Sequence, residues 1–195
     1  MEAYNEVANR FNKQSWELLD YVTVFEDRYF KDMNFELKEL KDIFLKYQIQ
    51  NDDGTWDTCY EQPFFGISGR YRFFYEEMSK DYVIGYCDTE KKEIHISKKI
   101  ESNKKEVKNV LLHEMIHGYE DIIPETYRQY LVIFLYQRLI KKLGKRKLCS
   151  MILEDQHSLR VEHSLLFLLK SLTLDIARRL PHGTIMGYGR EEYFN

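Results

Sequence analysis

The sequence predicts an α+β fold, a small sheet set among helices, within one domain of 195 residues. Three observations lead there. The apolar period is helical over the first fifty residues, alternates over residues 64–98, and is helical again from Glu101. The composition, 44% hydrophobic and 31% charged, is that of a chain that folds around a core. The 15 Tyr and 12 Phe supply large packing surfaces and argue against disorder.

The elements follow in order. Residues 4–50 read as two amphipathic helices, a helical preface (1–50) to a core at 60–195. Trp16, Leu19, Val22 and Val24 are spaced for the first helix, and Phe35, Leu37, Leu40, Phe44 and Leu45 for the second. "QNDDGTWD" (50–57) is a turn-rich break marked by Asp53-Gly54. "GRYRFFYEE", "DYVIGYCD" and "KEIHISKK" read as three strands, the last two joined by a tight turn at "DTEKK". "SNKKEVKNVLLHEMIHGYEDI" then opens a helix with Ser102 as cap and ends it before Pro124. A helix at 124–143 has proline at its start and Gly144 as its stop, and is expected to pack as an insertion. A third helix, 158–179, closes at Pro181. The tail "HGTIMGYGREEYFN" reads as loop or edge strand.

Several function classes lose support at once. A net charge of -3 gives no global pull towards nucleic acid. The longest apolar runs, such as "LVIFLY", are too short to cross a bilayer. The polar, acidic start is not a secretory signal. Cys59, Cys87 and Cys149 form no CxxC pair, so neither a disulfide framework nor a cysteine zinc ribbon is expected, and a reducing cytoplasm is the default.

The informative stretch is "VLLHEMIHGY", residues 110–119. On a helix His113 and His117 project from one face, one turn apart, so both imidazoles can reach one ion. Glu114 stands beside them, where it can hold a water. With only six His in the chain, this HExxH spacing is not expected by chance. A catalytic zinc site needs three protein ligands and an open position. His163, in the apolar stretch "VEHSLLFLL", is the chosen third ligand; Glu162, Glu154 and His157 compete with it. His95 alternates with Ile94 and Ile96, which places it towards solvent rather than metal.

Residues 85–120, "GYCDTEKKEIHISKKIESNKKEVKNVLLHEMIHGYE", resemble the core of the SprT-like zinc metallopeptidases. The shared pattern is a glycine-and-cysteine strand, an "I.IS" strand and a helix carrying "LLHEMIH". The family's third ligand is a histidine in an HGxxF-type stretch. "HSLLF" keeps His163 and Phe167 in that relation, with Ser164 in place of the glycine. The resemblance implies a zincin-like core and Zn2+ held by His113, His117 and His163. Two departures stand out. The ligands His117 and His163 lie 46 residues apart (163 − 117), a long gap for the family, and the zinc ribbon of many members is absent.

The chemistry implied is hydrolysis of peptide bonds in a protein or peptide substrate, by a zinc-activated water with Glu114 as general base. The strand "EIHIS" (93–97) would be the edge strand that pairs with extended substrate. Tyr119, Tyr127 and Tyr188 are of the right type to hold an oxyanion. The alternative is a zinc-stabilised regulatory or binding protein that cleaves nothing, although a purely structural site has no need of Glu114. The basic clusters "KKIESNKKEVK" and "RLIKKLGKRK" read first as solvated helix ends, and second as a nucleic-acid or phosphate patch.

Overall fold

A computed structural model describes residues 14–34, 66–80, 82–154 and 163–187. Among them are five helices and one three-stranded sheet: α1 (Trp16–Tyr29), β1 (Arg72–Glu76), β2 (Gly85–Asp88), β3 (Glu93–Ser97), α2 (Lys104–Ile122), α3 (Glu125–Leu143), α4 (Lys145–Glu154) and α5 (Leu165–Arg178). This is the α+β mixture the period changes predict. No helix among the described residues is long and apolar enough to cross a membrane.

The sheet order is β1-β3-β2, with β1 parallel and β2 antiparallel to β3. Here the sequence reading needs correction: "EIHIS" is the central strand, paired on both sides, so it offers no free edge. Among the described residues β1 and β2 are the edge strands. Ile94 and Ile96 are fully buried, and α2 packs against β2 and β3. His95, between them, is also not solvated as expected. Its ring stacks on Phe74 and Tyr86 at 5.1 and 4.5 Å between centroids, with the side chain only 12% exposed.

α1 forms with Ser15 as N-cap, its side chain accepting from Leu18 N. It buries Leu18, Val22 and Phe25 at helical spacing. Trp16 and Val24 fall off that stripe and are 70% and 52% exposed, so the buried face differs from the one expected. The second expected helix (35–45) and the 50–57 break lie outside the described residues.

α2 is capped by Asn103 rather than Ser102; the Asn103 side chain accepts from Glu106 N at 3.3 Å. α3 runs from Pro124 to Gly144 as predicted, and buries Tyr127, Leu131, Leu135 and Leu139, packing on α5. Gly144 has φ 82, open to glycine at no steric cost. It does not end helical structure, because α4 follows at once, an element the sequence reading passed over.

α5 begins later than expected. Ser164 is its N-cap, accepting from Phe167 N at 3.0 Å, so His163 precedes the helix rather than riding on it. The helix is buried nearly all round, and two charged residues sit inside: Lys170 and Asp175, both 0% exposed. Lys170 Nζ donates to Asp32 Oδ1 at 2.5 Å and to the Tyr29 carbonyl at 2.7 Å, which ties the end of α1 to α5. The tail forms turns over residues 182–186, not a strand, and residues beyond Gly187 lie outside the described part.

Candidate metal centre

Three histidines converge beside the sheet edge. The ligand nitrogens of His113, His117 and His163 lie within 4.8 Å of one another. Their ring centroids form a triangle with each side 5.2 Å. His113 and His117 arrive from one face of α2, as their four-residue spacing requires. His163 comes from the entry to α5. Phe167, one turn into α5 and fully buried, closes the triangle at 4.8, 4.5 and 4.2 Å from the three rings. The intervening α3 packs on α5 and so brings the chain back across the 46-residue gap.

The donor set suits a metal ion. Burial, and then the neighbouring His113, push His117 down to about 4, so its ring is neutral and its lone pair is available near neutral pH. His113 Nδ1 lies 2.9 Å from the Ile185 carbonyl. A carbonyl can only accept, so Nδ1 carries the proton and Nε2 keeps a lone pair. A backbone carbonyl fixing the second nitrogen is the usual support of a ligating imidazole. The group could hold a metal ion.

Glu114 is 4% exposed, and burial alone pushes its carboxyl up to about 8. A positive charge held among the three imidazoles opposes that shift. Gly85, the first residue of β2, packs directly on this carboxylate. The edge strand and the glutamate together line a cleft of about 840 Å³, with Gly85, Tyr86 and Cys87 from the strand and the three histidines among its walls. A second cavity of about 190 Å³ shares His113 and Glu114, and lies between α2 and the 184–187 segment.

Residues 59–129 match the SprT-like family model. The matched segment holds the sheet, α2 and the HExxH pair, and ends in the first turns of α3. The SprT-like match therefore covers His113, Glu114 and His117 but not His163, whose place in the cluster rests on the geometry above. No curated protein and no solved structure matches the chain.

The other candidates from the sequence fall elsewhere. His157 and Glu162 lie outside the described residues, as does the side chain of Glu154. Tyr119 turns away from the cleft, donating to Glu26 at 3.0 Å and to Asn34 at 2.7 Å. Tyr127 donates to the Asp32 carbonyl at 2.5 Å. Both tie helices together and neither is an oxyanion donor; Tyr188 is outside the described part. Sequence reasoning missed Asp175 and Ile185, which stand behind His113. The only signal was one acid in the apolar run "LTLDIA", and nothing in the tail pointed to a backbone carbonyl.

Proposed function

We propose that the chain is a zinc-dependent metallopeptidase, with His113, His117 and His163 as ligands and Glu114 as general base. The observation that carries this reading is the three-imidazole cluster beside a buried glutamate, at the wall of a cleft that runs along a strand edge. Zinc bound there supplies Lewis acidity towards water and a peptide carbonyl. Three neutral imidazoles leave the ion's charge undiminished, whereas a carboxylate ligand would partly neutralise it.

The chain's own residues do the rest. Glu114 takes a proton from the attacking water and gives it to the departing amine nitrogen, so the same oxygen serves both halves of the reaction. The edge of β2 offers backbone N–H and C=O groups to an extended peptide, which would lie antiparallel or parallel to Gly85–Asp88 across the cleft from α2. The cavity of about 190 Å³ beside His113 has apolar walls from Ile84 and Val110, and takes a substrate side chain next to the bond cleaved. Buried Glu114 favours this over a structural zinc site, since a buried carboxyl with no structural task is costly.

The test joins metal content to hydrolysis. Protein purified without chelator should hold about one zinc per chain, and should cleave an unfolded protein substrate. The assay is run with and without DNA, because the basic clusters at 98–108 and 138–147 would make cleavage respond to it if they are a nucleic-acid patch. Absence of any transition metal, and no uptake of added zinc, overturns the reading. Bound zinc with no hydrolysis of any unfolded substrate makes the protein a zinc-stabilised binder instead.

A further inference from the structure

Behind His113 the structure holds a chain of contacts that ends on its ring. Asp175 sits in the last turn of α5 with no exposure to solvent. An acid is misplaced there twice over: the carbonyl end of a helix repels it, and burial strips its water. Two backbone donors help to compensate it. Gly183 N–H donates to Oδ2 at 2.7 Å and Ile185 N–H to Oδ1 at 3.0 Å. The chain reverses after α5 through Arg179 in the left-handed region (φ 56), and Gly183 takes φ 90 to return N–H groups towards the helix end. With the 183–185 backbone gripped in this way, the Ile185 carbonyl meets His113 Nδ1 at 2.9 Å, 72 residues away in sequence.

Resting on the metal reading above, we propose that Asp175 is a positioning residue for the metal centre. It clamps the 181–187 turn, and through the Ile185 carbonyl it holds His113 with its proton on Nδ1 and Nε2 turned to the ion. A core-stabilising carboxylate would need no such endpoint. This one binds the N–H groups of Gly183 and Ile185, and the second belongs to the very residue whose carbonyl meets His113. The same turn supplies Thr184, Ile185 and Gly187 to the cavity beside Glu114, so the clamp also fixes one wall of the space next to the base. Without it, His113 is free to turn or to move its proton to Nε2, and either change withdraws a ligand.

The first measurement needs no variant. Long-range nitrogen NMR on the metal-free wild-type protein should show His113 as the Nδ1–H tautomer; a proton on Nε2 overturns the proposal. The second measures zinc affinity by competition with a chelator in Asp175→Ala and Asp175→Asn. The alanine variant loses both acceptors and should bind zinc about 10- to 100-fold more weakly, with the His113 Nδ1–H signal lost. The asparagine variant keeps one acceptor oxygen and should fall between. A lower Tm with wild-type zinc affinity and an unchanged His113 signal makes the clamp structural only, and sinks the idea. Should neither variant fold, the wild-type tautomer decides. A wild-type protein that binds no zinc defeats the metal reading, whereas the tautomer and its response to Asp175→Asn still report on the clamp.

Discussion

Gly85 stands against Glu114 so closely that no side chain fits between them. A Cβ at Gly85 would lie 3.1 Å from Glu114 Oε1, 2.5 Å from Val110 Cγ1 and 3.3 Å from the His95 carbonyl. Two of those neighbours are a buried helix side chain and the backbone of the central strand, so neither yields cheaply. Gly85→Ala should push β2 off α2 and shift the Glu114 carboxylate. The expected stability loss is about 1–3 kcal/mol, read as a lower Tm. Zinc content should be unchanged, because no ligand moves with β2. Hydrolysis should fall by about 100-fold, as a displacement near 1 Å at a reacting group does. A folded Gly85→Ala protein with wild-type activity would refute the close-approach argument.

The ligands and the base should separate cleanly in a variant series. His117→Ala is expected to lose the metal. Glu114→Gln keeps the shape and the metal but removes the proton acceptor, so it should bind zinc and cleave nothing. His163→Ala removes a whole ligand and should weaken zinc by at least about 10-fold. Unchanged affinity in His163→Ala, with loss in Glu162→Ala or His157→Ala, would move the third ligand and break the SprT-like pattern of "HSLLF".

Why was so much of this centre legible in the sequence, and the rest not? His113, Glu114 and His117 follow from helix geometry alone, since a four-residue spacing fixes a shared face whatever surrounds it. The strands were visible because the alternation of "KEIHIS" is local. Their order was not: β3 became central, with β1 and β2 at the edges, through pairings between distant segments that no local period encodes. His163 was named for its place in the apolar stretch "VEHSLLFLL", and its relation to Phe167 entered with the SprT-like resemblance; that relation survives although the residue precedes α5. Ser164 explains why, since its hydroxyl bonds Phe167 N as the N-cap one residue after His163, and the helix begins at Leu165. Lys170 and Asp175 were unreadable for a different reason. Each interrupts an apolar run in which a charge looks like a break, and its partners, Asp32 and the 183–185 backbone, come from elsewhere in the chain.

The Lys170–Asp32 pair makes its own prediction. Both side chains are out of solvent, 0% and 5% exposed, and burial drags the Lys170 ammonium below its usual range while Asp32 opposes this. Lys170 also lies over the Phe30 ring at 4.6 Å. Removing one partner strands the other charge, so Asp32→Ala should destabilise by about 3–5 kcal/mol. The double change Asp32→Ala with Lys170→Met removes both charges and should be milder than Asp32→Ala alone. Urea unfolding of the three proteins measures this. A double variant no milder than Asp32→Ala would mean that the stranded Lys170 charge is not what costs the stability.

Cys87 tests whether the cleft could run thiol chemistry instead. It lies on β2 at the cleft wall, near the histidines, where a nucleophilic cysteine would be suspected. Its surroundings oppose that role. Burial, and after it the nearby carboxylates of Glu114 and Asp121, push the thiol up to about 12. Only the thiolate attacks, so at pH 8 the reactive fraction is negligible. Iodoacetamide at that pH should leave Cys87 unmodified in the folded protein, as read by peptide mass spectrometry, and should alkylate it once the protein is unfolded in urea. Cys87→Ser should keep hydrolysis near the wild-type rate if Glu114 is the general base, as proposed. Rapid alkylation of Cys87 at pH 8 together with loss of hydrolysis in Cys87→Ser would hand the chemistry to the thiol and displace Glu114 from its role.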